Sequence, residues 1–428
     1  MQADRDREAI DILRKNDRGG YTVPTSRLYP YQWNWDSAFV ALGFATFDLD
    51  RAWREIELLF EGQWANGMVP HILFRRDDPD YFPGPAVWQA KGPMASSGHS
   101  QPPVAATVVR ELVDAGAEDG ERRGRALFAK LLAYHRWFHR ERDPDGLGVI
   151  GVVHPWESGR DNSADWDDAM RRVQVAPDLG SYQRRDTAHI DAEQRPKQEQ
   201  YDRFLTLVKF GREAGWDQEK IARMGPFFVA DPGIHFILMR ADRDLLALAE
   251  RFGEIEAADE IGAWLELSEA GTDRIWNPEI RAFCARDLRT GDFADAVTSA
   301  SALAFYAGAG SAEQRQAMVD HLTRICAAVG YAFPSLDPAH ARFEPKRYWL
   351  GPVWMVLNYM IARGLAECGQ TALAERIRRD SRRLIGDSGF YEYFHPMTGE
   401  ACGGGDFSWT AAMWLAWAGR DVADAKAA

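Results

Sequence analysis

The sequence predicts an all-α protein, a closed toroid of inner and outer helices, on three observations. Apolar residues recur at helical spacing in about a dozen segments. Several of these segments pair a helix that is apolar nearly all round with one that is apolar on a single face, as a buried layer inside a half-exposed one requires. Long polar connections separate the pairs, and no fixed period runs along the 428 residues to signal an open solenoid.

The charged start, Met1 to Glu8, leads into an amphipathic helix with Ile10, Ile12 and Leu13 on its apolar stripe. Gly19 to Pro30 reads as an extended connector because Gly and Pro punctuate it. Asp36 or Ser37 then caps a helix whose apolar positions Phe39, Val40, Leu42, Phe44 and Ala45 are nearly continuous, and Leu49 to Gln63 follows with a one-sided pattern. Arg75 to Pro85 is a turn-rich excursion too long for a simple connector. Further helices are predicted over 103–115, 120–141, 198–214, 233–252, 254–270, 293–308, 312–329, 349–368, 371–385 and 407–418. Val149 to His154 is a short, isolated strand candidate. No linker divides the chain, so residues 1–428 are expected to form one catalytic domain, with a mobile segment around 173–201.

Composition narrows the partners. A net charge of −13 without a basic stripe argues against nucleic acid and anionic membranes. The N-terminus lacks a signal-peptide apolar region, and no run approaches the roughly 18 apolar residues of a membrane span. Cys284, Cys326, Cys368 and Cys402 are far apart without metal-type spacing, which fits reduced thiols in a cytoplasmic protein. Neither a metal nor a cofactor is expected: Asp77–Asp80 and Asp165–Asp168 do not fit the twelve-residue calcium loop. His135 and His139 share a helix face, but Arg136 stands where a zinc protease has Glu. Oligomeric state stays open, a homo-oligomer included.

Chemistry concentrates in His154-Pro-Trp-Glu-Ser-Gly-Arg-Asp-Asn-Ser163 and the following Ala164 to Asp168. This run sets Glu157, Asp161, Asp165, Asp167 and Asp168 beside Trp156 and Trp166, where Pro and Gly allow neither helix nor strand. Indole faces stack on the C–H face of a pyranose, and carboxyl groups bind hydroxyls or protonate a leaving oxygen. Glu157 and Asp161 are both candidate acids. Glu392 lies between tyrosines, 392 − 161 = 231 residues after Asp161. It serves either as the second carboxyl of a glycosidase or as a core carboxylate bound by tyrosine hydroxyls. Gly403-Gly-Gly-Asp-Phe-Ser408 lacks the ending of a phosphate loop and reads as a tight turn before the last helix.

Tyr31-Gln-Trp-Asn-Trp-Asp-Ser37, Gly62-Gln-Trp-Ala-Asn-Gly-Met-Val-Pro-His71, Ser100-Gln-Pro-Pro103, His154 to Ser163, Tyr348-Trp-Leu-Gly-Pro-Val-Trp354 and Phe407-Ser-Trp-Thr-Ala411 resemble glycoside hydrolase family 63. Its compact bacterial mannosylglycerate and glucosylglycerate hydrolases are the most similar in these motifs. The resemblance implies an (α/α)6 barrel and an inverting α-glycosidase acting on a small charged glycoside to release hexose and glycerate. It implies Asp161 as general acid and Glu392 as general base. It also gives sugar-side roles to Tyr29, Trp33, Trp35, Asp36, Trp156, Gly159, Arg160, Trp349 and Trp409, with Tyr81 and Gln101 as further substrate contacts. Arg195 and Tyr201 are implied to bind the glycerate, with Tyr348 a further candidate; a guanidinium fork suits a carboxylate. An α-glucosidase for a neutral disaccharide, a sugar epimerase and a non-catalytic sugar-binding toroid stay open as alternatives.

Overall fold

The computed structural model describes residues 2–26 and 28–420. The predicted helix pairs close into an (α/α)6 barrel. Its inner layer runs from Asn34–Ala45 to Ala105–Ala115, Pro232–Phe252, the short helices Ser299–Ala302 and Ala304–Ala307, then Met355–Glu367 and Ser408–Met413, which returns against Asn34–Ala45. Each inner helix is backed by an outer one: Leu49–Glu61, Ala117–Glu141, Ile255–Gly271, Ala312–Ala328, Thr371–Ser388 and, against the last inner helix, Gln2–Asn16. The nearly continuous apolar pattern of residues 34–45 has the expected outcome, since every residue from Asn34 to Phe44 is buried. Among the described residues no helix is long and apolar enough to cross a membrane.

Glycine permits the ring to close this tightly at two places. A Cβ on Gly43 would lie 2.6 Å from Cα of Ala412, and one on Gly364 would lie 2.2 Å from the backbone nitrogen of Tyr306. The outer helix Leu49–Glu61 in turn holds the connector that leads to the site. Buried Glu55 accepts hydrogen bonds from the Thr22 backbone N–H at 3.1 Å, the Thr22 hydroxyl at 2.8 Å, the Ser37 hydroxyl at 2.6 Å and Arg51 at 2.8 Å.

Three expectations need correction. The helix predicted over 293–308 begins only at Ser299, where the Thr298 hydroxyl accepts from Ala300 N–H, and it breaks at Leu303. The helix predicted from Trp349 begins at Met355, because Pro352 disfavours helix before it and Val353 bridges to Pro334 and Phe394. The strand candidate near Val149 is not isolated: Gly151–Val152 pairs antiparallel with Val229–Ala230, which pairs with Arg286–Asp287. His135 and His139, on one helix face, bind opposite oxygens of buried Asp242 at 2.6 and 3.0 Å.

Gly364→Ala tests the closure. Overpacking at a backbone contact should cost about 1–3 kcal/mol, seen as a lower urea midpoint with an unchanged m-value. An unaltered midpoint would show that the inner ring is looser than its geometry indicates.

Candidate active site

The N-terminal ends of two inner helices, Asn34–Ala45 and Ser408–Met413, together with long loops of the ring, line one cavity of about 910 Å³, its open mouth included. Asp161 and Glu392, so distant in sequence, both face it. The loop carrying Asp161 leaves the short strand Gly151–Val152, makes a single 3-10 turn over Pro155–Ser158 and reverses at Gly159, where φ is 71°. Only glycine serves there, because a Cβ would also meet the Trp35 ring at 2.6 Å.

Packing separates the acids of this loop. Glu157 is fully buried, with both oxygens bound by Arg142 at 2.8 Å and further hydrogen bonds from the backbone N–H of Val153 and Ser100. It does not line the cavity, so it is withdrawn as a candidate acid. Arg160 is also corrected: its guanidinium is buried between Asp165 and Asp231, against the Trp166 ring, and is not part of the lining. The reason is structural. Asp231 caps the inner helix Pro232–Phe252 by accepting from Gly233 and Ile234 N–H at 3.0 and 3.2 Å, so Arg160 ties the Asp161 loop to that helix.

Asp161 receives no hydrogen bond to its carboxyl group from any other residue among those described. Burial among aromatic rings is the main reason that its pKa is pushed up to about 7; the Glu392 charge adds to this, while its own backbone N–H and Arg195 oppose it. Asp36, at the start of the first inner helix, is pushed up in the same way, by burial and then by Glu392 and Glu55, against its own backbone N–H.

Glu392 has the opposite surroundings. It stands on the hairpin of Tyr391–Phe394 and Ala401–Gly405, where a register shift sets Gly403 and Gly404 against it. Gly403 has φ 73°, and a Cβ there would lie 2.4 Å from Glu392 Oε2, while Gly404 N–H donates to that oxygen at 3.2 Å. The glycine run is therefore the bed of a carboxylate, and the expectation of a mere turn is corrected. Arg195 donates to Oε2 at 2.6 Å and to Oε1 at 3.2 Å, and the Tyr29 hydroxyl donates to Oε1 at 3.1 Å. Glu392 is thus bound by a tyrosine hydroxyl and also lines the cavity.

Trp33, Trp35, Trp156, Trp349, Trp409 and Tyr81 supply flat walls, and Gln101 accepts from the Trp35 backbone N–H at 3.3 Å. Trp349 is held parallel to Trp354 with ring centroids 3.7 Å apart. Tyr348 adopts a φ of 47°, a costly conformation for a bulky residue, and its hydroxyl lies 3.4 Å from that of Tyr29.

The segment predicted as mobile contributes Arg185, Asp186, Arg195, Pro196 and Tyr201 to the lining. It is fastened on two sides. Arg185 binds Asp78 at 3.1 Å and Tyr182 stacks on Phe82 at 5.0 Å, both in the 75–85 excursion; Tyr393 donates to the Gln194 carbonyl at 2.6 Å. Sequence alone does not single out Asp186, which Arg184 grips at 3.0 and 2.7 Å, because its only signal is the polarity of the whole segment. His71 is the one histidine among the lining residues. It stacks on His99, which stacks on His154, and burial lowers the pKa of all three. An epimerase's facing pair is not formed there.

Residues 29–410 match the family model described as the mannosylglycerate hydrolase MGH1-like glycoside hydrolase domain. Over 409 residues, covering 95% of this chain and 84% of the relative, the chain is 45% identical to mannosylglycerate hydrolase MGH1 of Selaginella moellendorffii. It is 34% identical over 436 residues to the glucosylglycerate hydrolase of Mycolicibacterium hassiacum, covering 96% of this chain and 97% of that one. The crystal structure of a GH63 mannosylglycerate hydrolase from Thermus thermophilus in complex with Tris and D-glycerate superposes with a TM-score of 0.92 at 43% identity, over 96% of this chain and 99% of that chain.

The raised Asp161 carboxyl predicts a pH-dependent contribution to stability. Its proton is held up to about pH 7 in the folded chain against an ordinary value of 3.8, so between these values the folded chain binds more protons and stability falls as pH rises. Asp161→Asn removes that loss. By calorimetry the variant should melt above wild type at about pH 8, with the gain shrinking towards about pH 4. A Tm difference independent of pH would refute the assignment.

Proposed function

The chain belongs to the MGH1-like glycoside hydrolases of family 63, and on that premise we propose that it is an inverting α-glycosidase that hydrolyses mannosylglycerate or glucosylglycerate to hexose and glycerate. The observation that carries this reading is the pairing, in one tryptophan-walled cavity, of a carboxyl group that keeps its proton to about pH 7 with a carboxylate held by an arginine. In this mechanism Asp161 donates its proton to the glycosidic oxygen, and the C1–O bond breaks with its electron pair leaving on glycerate. Water attacks C1 from the opposite face and gives its proton to Glu392. The hexose emerges with inverted configuration, Glu392 releases its proton to solvent, and Asp161 recovers one from it.

Trp35, Trp156, Trp349 and Trp409 bind the pyranose C–H faces in this reading, while Trp33, Tyr81 and Gln101 complete its walls. Asp36, whose carboxyl group likewise has no hydrogen bond from any other described residue, accepts from a sugar hydroxyl. Arg195, Tyr201 and Tyr348 receive the glycerate, with Tyr29 alongside, and Gly159 keeps the backbone close to the sugar. Segment 173–201 acts as a roof that opens to admit substrate. One observation favours a second reading, an α-glucosidase for a neutral disaccharide: Arg195 is already paired with Glu392, and an uncharged aglycone would leave that pair undisturbed.

A panel of mannosyl- and glucosylglycerate, with trehalose and kojibiose as neutral controls, separates the two readings. Hexosylglycerate should be cleaved and the neutral sugars should not, with kcat/KM falling about tenfold per pH unit above about 7 as Asp161 ionises. Asp161→Asn and Glu392→Gln should each lower kcat by about 10²–10⁴. Proton NMR of the first turnovers should show β-hexose. Initial α-hexose would overturn inversion, and preferential cleavage of trehalose or kojibiose would favour the neutral reading.

A further inference from the structure

An ionised carboxylate offers about four lone-pair positions, and in Glu392 all are taken. Tyr29 and Arg195 Nη1 donate to Oε1, while Arg195 Nη2 and Gly404 N–H donate to Oε2. A base in this condition cannot receive a proton from water until one donor leaves. Gly404 N–H is fixed by the hairpin, and Tyr29 lies on a connector bridged to Thr25. Arg195 is carried by the roof segment, and its Nε is buried without a partner, so the geometry of this side chain is not saturated.

Among the described residues, a carboxylate entering the cavity meets no uncommitted arginine. Arg185 is bound to Asp78, Arg184 to Asp186, and Arg195 to Glu392. An anionic substrate that takes over the guanidinium face of one of them competes with its acid. Only competition at Arg195 alters the carboxylate assigned to activate water.

We propose that Arg195 is a charge-gated lock on Glu392: it occupies the acceptor positions of Glu392 in the empty cavity, and the carboxylate of the aglycone draws it away, opening Glu392 to the attacking water. The proposal rests on the hexosylglycerate reading above and adds that selectivity for a charged aglycone is expressed in kcat as well as in binding. A neutral glycoside fills the sugar site but leaves the lock closed.

The test uses a donor without a carboxylate, α-mannosyl or α-glucosyl fluoride, with and without free D-glycerate. The C–F bond breaks with its electron pair on fluoride, water forms the new bond to C1, and the water proton goes to Glu392, so the reaction isolates the step that the lock controls. Glycerate should raise wild-type fluoride release by about 5- to 150-fold, the usual range of coupling between two ligands, while glycerol at equal concentration should not. Arg195→Ala and Arg195→Gln should hydrolyse the fluoride faster than wild type does alone, and glycerate should not stimulate them.

Inhibition or no effect of glycerate on wild type, in an enzyme that cleaves hexosylglycerate, overturns the lock and leaves the functional reading intact. Fluoride release that is absent even with glycerate also overturns it. If wild type cleaves neither hexosylglycerate nor the fluoride, both readings fall. The wild-type arms decide the matter even if the Arg195 variants fail to fold.

Discussion

The site depends first on a buried ion pair that never touches the cavity. Arg142, at the end of an outer helix, grips Glu157 with two hydrogen bonds of 2.8 Å, and Gln218 binds the same guanidinium at 2.7 Å. Both charges are out of solvent, so losing either partner would strand the other at a cost of about 3–5 kcal/mol. The pair fixes the loop four residues before Asp161, and Arg160 fixes the residue immediately before it by reaching the cap of an inner helix. Asp161 is thus aimed by its neighbours, which leaves its own carboxyl group free of the side-chain donors that would ionise it.

That freedom explains how one cavity gives two carboxyl groups different properties. Asp161 meets burial and a like charge, and Glu392 meets a guanidinium, a phenol and a backbone N–H. Environments that diverge in this way are what an acid and a base in one site require. The aromatic walls do more than offer stacking surfaces, because by excluding water they supply the burial that raises Asp161.

The helical layers were legible in the sequence because buried and half-buried helices leave different apolar patterns, and residues 34–45 and 49–61 differ as their burial does. Composition could not tell Glu157, beside Trp156, from Asp161, beside Arg160 in the same loop, and only the distant Arg142 and Ser100 separate them. The bed of Glu392 was hidden for another reason. Gly403 and Gly404 carry no side-chain signal, and their meaning lies in a hairpin register that local pattern cannot supply. Arg195 was legible as an anion-binding residue, but its partner in the empty cavity, 392 − 195 = 197 residues away, was not. Long-range pairs are the part of a fold that a single sequence states least directly.

A chain of net charge −13 is at first sight a poor receptor for an anion. The cavity resolves this locally, since Glu392, Asp186 and Asp78 are each matched by an arginine, and Asp36 and Asp161 hold their protons more tightly than exposed aspartates do. The empty cavity is therefore close to neutral despite its acids. A carboxylate that enters adds a negative charge near Asp161, and a like charge strengthens the hold of an acid on its proton. An anionic substrate thereby adds to the hold that burial already gives Asp161 on its proton, whereas a neutral sugar of the same shape adds no such charge.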